Sequence, residues 1–479
     1  IAANIRPPAV VLHYPSEREF IRELKTTRYE YVGINFVVAT FHKLQSMVPL
    51  IRRYAPTATI ILGGYGTVLS DDELSPYGDL ICREEGIGFM RRLLGQDMER
   101  PIVHPYAPID SPRVYSYPLK TKVAHITAGL GCPNGCDFCC TSHFFNRRYI
   151  PLVHRGRDLH KLMMDIKRRA ESQGDEIGSF IVIDEDFFLH ERRAREFLEA
   201  VREAGSALSI MGFGSVRGLS NFTADEIAEM GFDIIWTGFE GREASFAKLK
   251  GKPLTELYAS LRSRGVALLS SMIVGLPYHT RATVLEEFEA FAALNPALWQ
   301  ILIYFAFPGT PLHLKMHTQN LFLSEYAENP DYRRFDGFSM HFRHPHFTAA
   351  EMESLQRELY QKSFHALGPS LVRVAQVWFN GYRNLRDAAN PLLAARAMRM
   401  REYVRNAAPA LYPAMLFGPT GNCRIAARRL FREIRRDMKD GAARTHLAGF
   451  ATIPLAMWTW LTMKLQIFQQ PRLLRVEYN

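Results

Sequence analysis

Three cysteines stand at C-x3-C-x2-C spacing: Cys132, Cys136 and Cys139, inside Gly131-Cys132-Pro133-Asn134-Gly135-Cys136-Asp137-Phe138-Cys139-Cys140. Thiolates this close on one tight loop can converge on a single small metal centre. Three ligands close neither a structural zinc site nor an ordinary four-cysteine cluster. A [4Fe-4S] cubane on three thiolates keeps one iron open, and an open iron can take a further ligand. Gly131, Pro133 and Gly135 suit a loop that wraps a cluster closely. Phe138 sets an aromatic ring beside the third thiolate. A zinc knuckle, or three unrelated core cysteines, is the competing reading. Cys140 reads as a small buried residue that points elsewhere.

Such a loop needs a scaffold, and the flanking chain supplies one. The strand pattern Val123–Ala128 runs straight into the loop. Apolar runs follow at Ser179–Ile183, Leu208–Phe213, Ile234–Phe239, Val266–Val274 and Leu298–Tyr304, alternating with helical patterns such as Glu191–Ala204. Asn221 to Met230 is helical too, with a Thr223/Glu226 capping box. Strands alternating with helices imply a parallel sheet whose ligands bind at the carboxyl ends of the strands. About six such units are present, fewer than an eight-fold barrel needs.

The cysteine spacing, with an aromatic residue before the last cysteine, resembles the signature of the radical S-adenosylmethionine (radical SAM) enzymes. The strand ends agree. Asp184-Glu185-Asp186-Phe187-Phe188 resembles the acidic, aromatic end of that family's second strand. Thr237-Gly238-Phe239-Glu240-Gly241 resembles its G-x-E strand end, Ile273-Val274-Gly275-Leu276-Pro277 its fifth strand, and Phe307-Pro308-Gly309-Thr310-Pro311-Leu312 its sixth. The resemblance implies a partial (β/α)6 barrel over residues 121–312 and a [4Fe-4S] cluster on Cys132, Cys136 and Cys139. It also implies S-adenosylmethionine on the open iron, cleaved on one-electron reduction to a 5′-deoxyadenosyl radical. Asp184, Glu185, Ser215, Gly238 and Glu240 would then line the S-adenosylmethionine site, where carboxylates suit a sulfonium and an ammonium. The alternative is that these acids cap neighbouring helices. His143 is expected to be structural.

Residues 1–105 read as a small α/β unit. Tyr31–Val38 and Ala58–Leu62 are buried-strand patterns, the second ending in Gly63, Gly64 and Gly66, and Leu80–Arg83 is a short third strand. A helix runs from His42 to Tyr54 with Pro49 inside it. This unit resembles the later part of the Rossmann-like cobalamin-binding domain that precedes the core in one radical SAM class. The D-x-H-x-x-G element of other cobalamin proteins is absent. The resemblance therefore implies cobalamin near Gly63, Gly64 and Gly66 with no protein imidazole on cobalt. A domain that keeps only the shape is the alternative. The domain's usual first strand and glycine turn are hard to place, Ala9–His13 reads as one of its later strands, and an incomplete domain is expected. His13 and His42 are surface or packing residues. Residues 106–120 read as a linker.

Residues 313–479 read as a mainly helical C-terminal domain without a cofactor motif. His341, His344 and His346 fall close together, at no standard metal spacing. Thr348 and Glu351 open a helix to about Ala366. Arg424 to Lys439 is a basic amphipathic helix. Leu447 to Met463 carries no charge, but its length of about 25 Å is marginal for a bilayer, and Pro454 interrupts it. A buried helix pair is the first expectation for it, interfacial membrane contact the second and a span the third.

The chain of 479 residues is 47% hydrophobic, has six cysteines and carries a net charge of +10. Six cysteines, half of them in one motif, do not form a disulfide framework. The start, Ile1-Ala2-Ala3-Asn4-Ile5-Arg6-Pro7, lacks the apolar core of a secretory signal and an initiating Met, so a trimmed form of a longer chain is expected. A reducing, cytoplasmic setting is expected, with membrane association as a variant. The charge has no RNA-binding module behind it, so no nucleic-acid partner is expected. The resemblance as a whole implies an α/β radical SAM enzyme, with cobalamin, that methylates an unactivated carbon of a small molecule, with a lipophilic substrate as a variant. It also implies a one-electron donor such as flavodoxin or ferredoxin. A radical cyclase or rearrangement enzyme, or a non-catalytic cluster-binding protein, is the alternative.

Overall fold

A computed structural model describes residues 1–106, 113–115, 117–118, 121–241, 246–438, 442–467 and 471–478. Most of the expected linker, 106–120, lies outside the described residues.

The central sheet has six parallel strands in sequential order: Lys122–Thr127, Ile177–Ile183, Ile210–Phe213, Phe232–Glu240, Ala267–Val274 and Leu298–Ile303. These are the six expected barrel strands. Alternation along each strand decides its facing. Ala124, Ile126, Phe180, Val182, Leu268 and Met272 are buried in the main core against the surrounding helices. The intervening residues, including Phe213, Trp236 and Ser271, are half-buried and look into the concave side. Trp236 stacks on Phe213 at 5.6 Å and donates its indole N–H to Ser271 Oγ at 2.7 Å. The helix Glu191–Ala204 buries Ala194, Phe197, Leu198 and Val201 at helical spacing, and Gly205 closes it in the left-handed region at φ 60°. Phe187, Phe188 and Phe232 form an aromatic knot beneath it. Each fully buried ring contributes about 1.5–3 kcal/mol, and Phe232→Ala would cost about 3–5 kcal/mol.

The N-terminal unit holds a three-stranded parallel sheet of Tyr31–Asn35, Thr59–Gly63 and Leu80–Ile81. Ala9–His13 is a strand, but it does not join this sheet. It pairs antiparallel with Leu474–Tyr478 at the other end of the chain. Arg475 adds two hydrogen bonds to Glu23, at 2.8 and 2.9 Å. The C-terminal region is therefore not helical to its end, because its last strand returns to the first.

Between these ends, helices Ser370–Leu385, Pro391–Ala407 and Gly421–Met438 build a second core around Phe379, Met400 and Leu430, while helix Ala349–Leu367 buries Met352, Leu355 and Leu359 in the barrel's own core. The Thr348 capping box on Glu351 is present. Arg396 nails this bundle to the barrel. Its side chain is 1% exposed, pairs with Asp233 at 2.8 Å and donates to the Phe232 carbonyl at 2.7 Å. The uncharged run Leu447–Met463 lies in the helix Ala442–Lys464. It is not the buried partner first expected, since Leu447, Phe450, Trp458 and Trp460 are each more than half exposed. Among the described residues no helix is long and apolar enough to cross a membrane.

Candidate active site

The cysteine loop leaves the first barrel strand through a short strand, Gly129–Leu130, and closes with the helix Cys140–Phe144. Gly131 sits at φ 79°, and a Cβ there would fall 2.2 Å from the Arg148 carbonyl oxygen. No other residue fits that turn. The loop folds on its own groups. The Cys139 amide donates to the Cys136 carbonyl at 3.0 Å, and His143 Nε2 meets the same carbonyl at 3.1 Å. The Gly135 amide donates to Ser142 Oγ at 3.2 Å. His143 thus braces the loop.

Two acids tie the loop to the barrel. Tyr304, at the end of the sixth strand, donates to Asp137 Oδ2 at 2.9 Å, and the Leu312 amide donates to the Asp137 carbonyl at 3.1 Å. Asn134 Nδ2, between the first two cysteines, lies 3.3 Å from Cys132 Sγ and donates to Asp186 Oδ2 at 3.1 Å. Asp186 Oδ1 accepts the Ser215 amide at 3.0 Å. Asp186 therefore joins the loop to the second and third strand ends. Sequence reasoning passed over it, although it stands in the same acidic run as Asp184 and Glu185.

The expected S-adenosylmethionine residues divide. Asp184 is 1% exposed, accepts from Tyr149 at 2.8 Å and is ion-paired to Arg193. Both partners face inward, so Asp184 anchors the strand end and does not line an open site. The Ser215 hydroxyl accepts the Gly218 amide at 3.0 Å and caps the turn Val216–Leu219, which is the helix-capping alternative. Glu240 lies beside the loop. It has a left-handed backbone at φ 60°, a conformation costly for a residue with a side chain. Its carboxylate pairs with Lys248. Burial opposes the charge on Lys248, but Glu240 and Cys136 outweigh it and hold its pKa above the usual lysine range. Gly238 makes room for this, because a Cβ there would strike the Glu240 carboxylate. The strand register aligns Gly238, Ser271 and Gln300 across three strands, and Gln300 Oε1 is buried with no partner among the described residues. Phe138 packs edge-on to Phe246 and Tyr304 at 5.2 and 5.8 Å, with Lys248 Nζ 5.5 Å over its ring.

Glu185 looks the other way, towards the N-terminal unit. It accepts from the Tyr65 hydroxyl at 3.2 Å. Burial pushes its carboxyl up to about 7, with Asp184 adding to the shift and Tyr65 opposing it. The Tyr65 ring stands edge-on to Phe144 at 5.1 Å, on the helix that closes the cysteine loop. The glycine-ended strand and the cysteine loop therefore face one another. A Cβ on Gly63 would meet nothing within 4 Å, so the chain leaves space there. Gly64 and Gly66 are used differently. Added Cβ atoms would strike Asn35 Oδ1 at 2.1 Å and the Phe36 ring at 2.3 Å, so these two glycines serve the unit's own packing.

No family model matches the chain. Among solved structures it is similar to the radical S-adenosylmethionine methyltransferase TsrM from Kitasatospora setae with cobalamin and a [4Fe-4S] cluster bound. The TM-score is 0.54 and the identity 16%, over 82% of this chain and 91% of that one. The chain shares that protein's fold. Two curated relatives of the chain diverge in named activity. An uncharacterized methyltransferase of Pyrococcus horikoshii is 23% identical over 272 residues, 54% of this chain and 57% of its own length. The anaerobic magnesium-protoporphyrin IX monomethyl ester cyclase of Rubrivivax gelatinosus is 22% identical over 344 residues, 62% of this chain and 60% of its own length. The chain thus spans under two thirds of the length of each of these relatives.

The residues present fit the groups this fold takes. Cys132, Cys136 and Cys139 share one loop, with Cys136 buried and the other two half-buried. Burial raises the Cys132 thiol and pushes Cys136 up to about 12, and each is raised further by the neighbouring cysteines. Thiols raised by burial suit a cation that would deprotonate them. Among the described residues no three His, Cys, Asp or Glu side chains, the three cysteines included, are arranged closely enough to hold a metal ion as they stand. Lys248 and Glu240 offer one cation and one anion to a ligand bearing a carboxylate and an ammonium. The loops after the N-terminal strands, residues 36–40, 64–70 and 82–86, contain no histidine. His341, His344 and His346 do not converge. His344 Nε2 meets the Leu276 carbonyl at 2.9 Å, while His341 is enclosed against Phe335 and Tyr326.

Proposed function

We propose that this chain is a cobalamin-dependent radical SAM methyltransferase acting on an unactivated carbon of a small molecule. Facing loops carry the reading: Tyr65, from the glycine-ended strand of the N-terminal unit, touches both Glu185 at the barrel mouth and Phe144 behind the cysteine loop. When bound, the cluster with S-adenosylmethionine supplies radical chemistry, and cobalamin supplies a transferable methyl group. Everything else is the work of the chain. Cys132, Cys136 and Cys139 hold the cluster. Lys248 receives the carboxylate of S-adenosylmethionine and Glu240 its ammonium, each replacing its present partner with a ligand group of the same sign. Phe138 shields the loop from solvent. Trp236, Ser271 and Gln300 line the concave face where a substrate rests. Gly63 leaves room for the corrin.

Cytoplasmic placement and a one-electron donor of the flavodoxin or ferredoxin type belong to this reading. The match to a cyclase supports a second one, in which radical chemistry proceeds without methyl transfer. Anaerobic reconstitution with cobalamin, reductant and S-adenosylmethionine, followed by mass spectrometry, separates the two. Methyl transfer predicts S-adenosylhomocysteine together with 5′-deoxyadenosine. Deoxyadenosine with no S-adenosylhomocysteine would favour the cyclase-type reading.

A further inference from the structure

The helix Ala442–Lys464 has no acidic residue, and its exposed residues from Leu447 to Met463 are all apolar. Leu447 is 72% exposed, Phe450 61%, Met457 57%, Trp458 56%, Leu461 38% and, just past the helix, Leu465 56%. With exposed Pro454 between Phe450 and Met457, these positions fall three, seven, ten, eleven, fourteen and eighteen residues after Leu447, on one face of the helix, and form a stripe about 27 Å long. Apolar stripes of this size on a protein surface mark contact with something else.

The stripe is not a loose tail. Gly449 lies under the Tyr412 ring, and Thr452 Oγ1 donates to the Pro409 carbonyl at 3.0 Å. His446 hydrogen-bonds Tyr412 through Nδ1 and Arg435 through Nε2. Beyond the helix, Leu474–Tyr478 is paired with Ala9–His13. The first half of the helix is therefore packed on the bundle, and the chain beyond it is tied down again at Leu474–Tyr478.

Its neighbour is strongly cationic. The helix Gly421–Met438 carries exposed Arg428, Arg429, Arg432, Arg435 and Arg436, with Glu433 and Asp437 as its only acids. The Arg429 and Arg436 side chains are 77% and 69% exposed. Arg428 reaches the Met415 carbonyl on the short helix Tyr412–Phe417 and Arg435 reaches His446, so the arginine row meets the Ala442–Lys464 helix at Arg435. Leu416, Phe417 and Ile425 continue the exposed apolar surface at the near end of that row.

We propose that this face docks on an anionic phospholipid bilayer, with the Ala442–Lys464 helix lying in the interface plane. Apolar side chains flanked by arginines match acyl chains beneath phosphate headgroups, and Trp458 and Trp460 suit the boundary between them. A second copy fits less well, because an isologous pairing along this helix would set two arginine rows side by side. The proposal is independent of the reaction assigned to the barrel.

The test uses the full chain, purified anaerobically, and vesicles of phosphatidylcholine alone or with about one third phosphatidylglycerol. Co-sedimentation is measured at about 0.05 M and about 0.5 M salt, where screening differs several-fold. The expected result is binding to the anionic vesicles at low salt, weakened about tenfold by high salt or by neutral lipid. Brominated acyl chains should quench tryptophan emission, and the double variant Trp458→Phe/Trp460→Phe should lose that quenching. Phe450→Glu/Leu461→Glu, at exposed positions, should leave thermal unfolding unchanged and reduce binding at least about tenfold. Arg428→Gln/Arg432→Gln/Arg436→Gln should remove the preference for anionic lipid. The proposal is overturned if the wild-type chain stays in the supernatant with every lipid. It is equally overturned if the wild type forms a concentration-dependent dimer that the Glu variant abolishes while vesicle binding is absent.

Discussion

The Tyr65 hydroxyl donates to Glu185 Oε1 at 3.2 Å, joining a loop of the N-terminal unit to the end of the second barrel strand. The same ring abuts Phe144 and Phe145 behind the cysteine loop. One side chain thus sets the spacing between the two places where cofactors are proposed to sit. Tyr65→Phe keeps the ring contacts and removes one hydrogen bond, a loss of about 0.5–1.5 kcal/mol. Tyr65→Ala removes both. In the alanine variant, methyl transfer should fall by more than about tenfold while deoxyadenosine formation persists, since misplacement affects the transfer and not the cluster. Equal losses of both products would show that Tyr65 serves stability alone.

Glu185 has a carboxyl pushed from the ordinary glutamate range up to about 7, chiefly by burial. Tyr65, Asp184 and Cys140 are the titratable groups around it. Below about pH 4.5 the carboxyl is protonated in both folded and unfolded chains. Between about 4.5 and 7 the folded chain keeps a proton that the unfolded chain has lost. Stability should therefore fall as pH rises through that window and level off above it. Glu185→Gln should remove this slope and gain on the order of 2 kcal/mol at pH 8. Urea titrations of both proteins at pH 5 and pH 8 measure it; parallel curves would contradict the assignment.

Lys248 and Glu240 are opposite charges beside Cys136 and Phe138. If Lys248 receives the carboxylate of S-adenosylmethionine, Lys248→Ala should weaken its binding by about 10–100-fold, as expected for a charged hydrogen bond of about 1.5–3 kcal/mol. Arginine at this position should restore part of the affinity. Equilibrium dialysis with the cluster-loaded protein reads this directly, and unchanged affinity would remove Lys248 from the site.

How much of this was legible in the sequence depends on distance along the chain. The barrel strands were readable because each is a short apolar run closed by glycine or acid. The helix Glu191–Ala204 matches its predicted bounds because its apolar spacing and Gly205 mark them. The acidic run at 184–186 pointed to the correct place, but the role of each carboxylate did not follow. Asp184 is claimed by Arg193, one helix further on, and the decisive partner of Asp186 is Asn134 in another loop. Pairing of Ala9–His13 with Leu474–Tyr478 joins opposite ends of the chain, and no local pattern announces it. The uncharged helix near the C-terminus was first read as buried because lack of charge normally means a core. Its exposure depends on what packs beside it, which sequence periodicity does not report.

Arg396 and Asp233 couple the helical bundle to the barrel across a dry interface. Removing one partner leaves a buried charge unpaired and should cost about 3–5 kcal/mol. Asp233→Ala should therefore lower the thermal midpoint by several degrees, whereas Arg386→Ala, whose ion pair with Asp387 is exposed, should change it little. A small effect from Asp233→Ala would mean that the bundle is held by apolar packing alone.

The central claim is that Cys132, Cys136 and Cys139 hold a cluster that cleaves S-adenosylmethionine. Its most direct test is 5′-deoxyadenosine released per reconstituted protein under a low-potential reductant and strict anaerobiosis. The wild-type chain, Cys82→Ala and Cys423→Ala should all release it, since those two side chains are buried away from the loop. Cys132→Ala, Cys136→Ala and Cys139→Ala should each lose cleavage together with the visible absorption of the cluster. Deoxyadenosine from Cys136→Ala at the wild-type level would contradict the account.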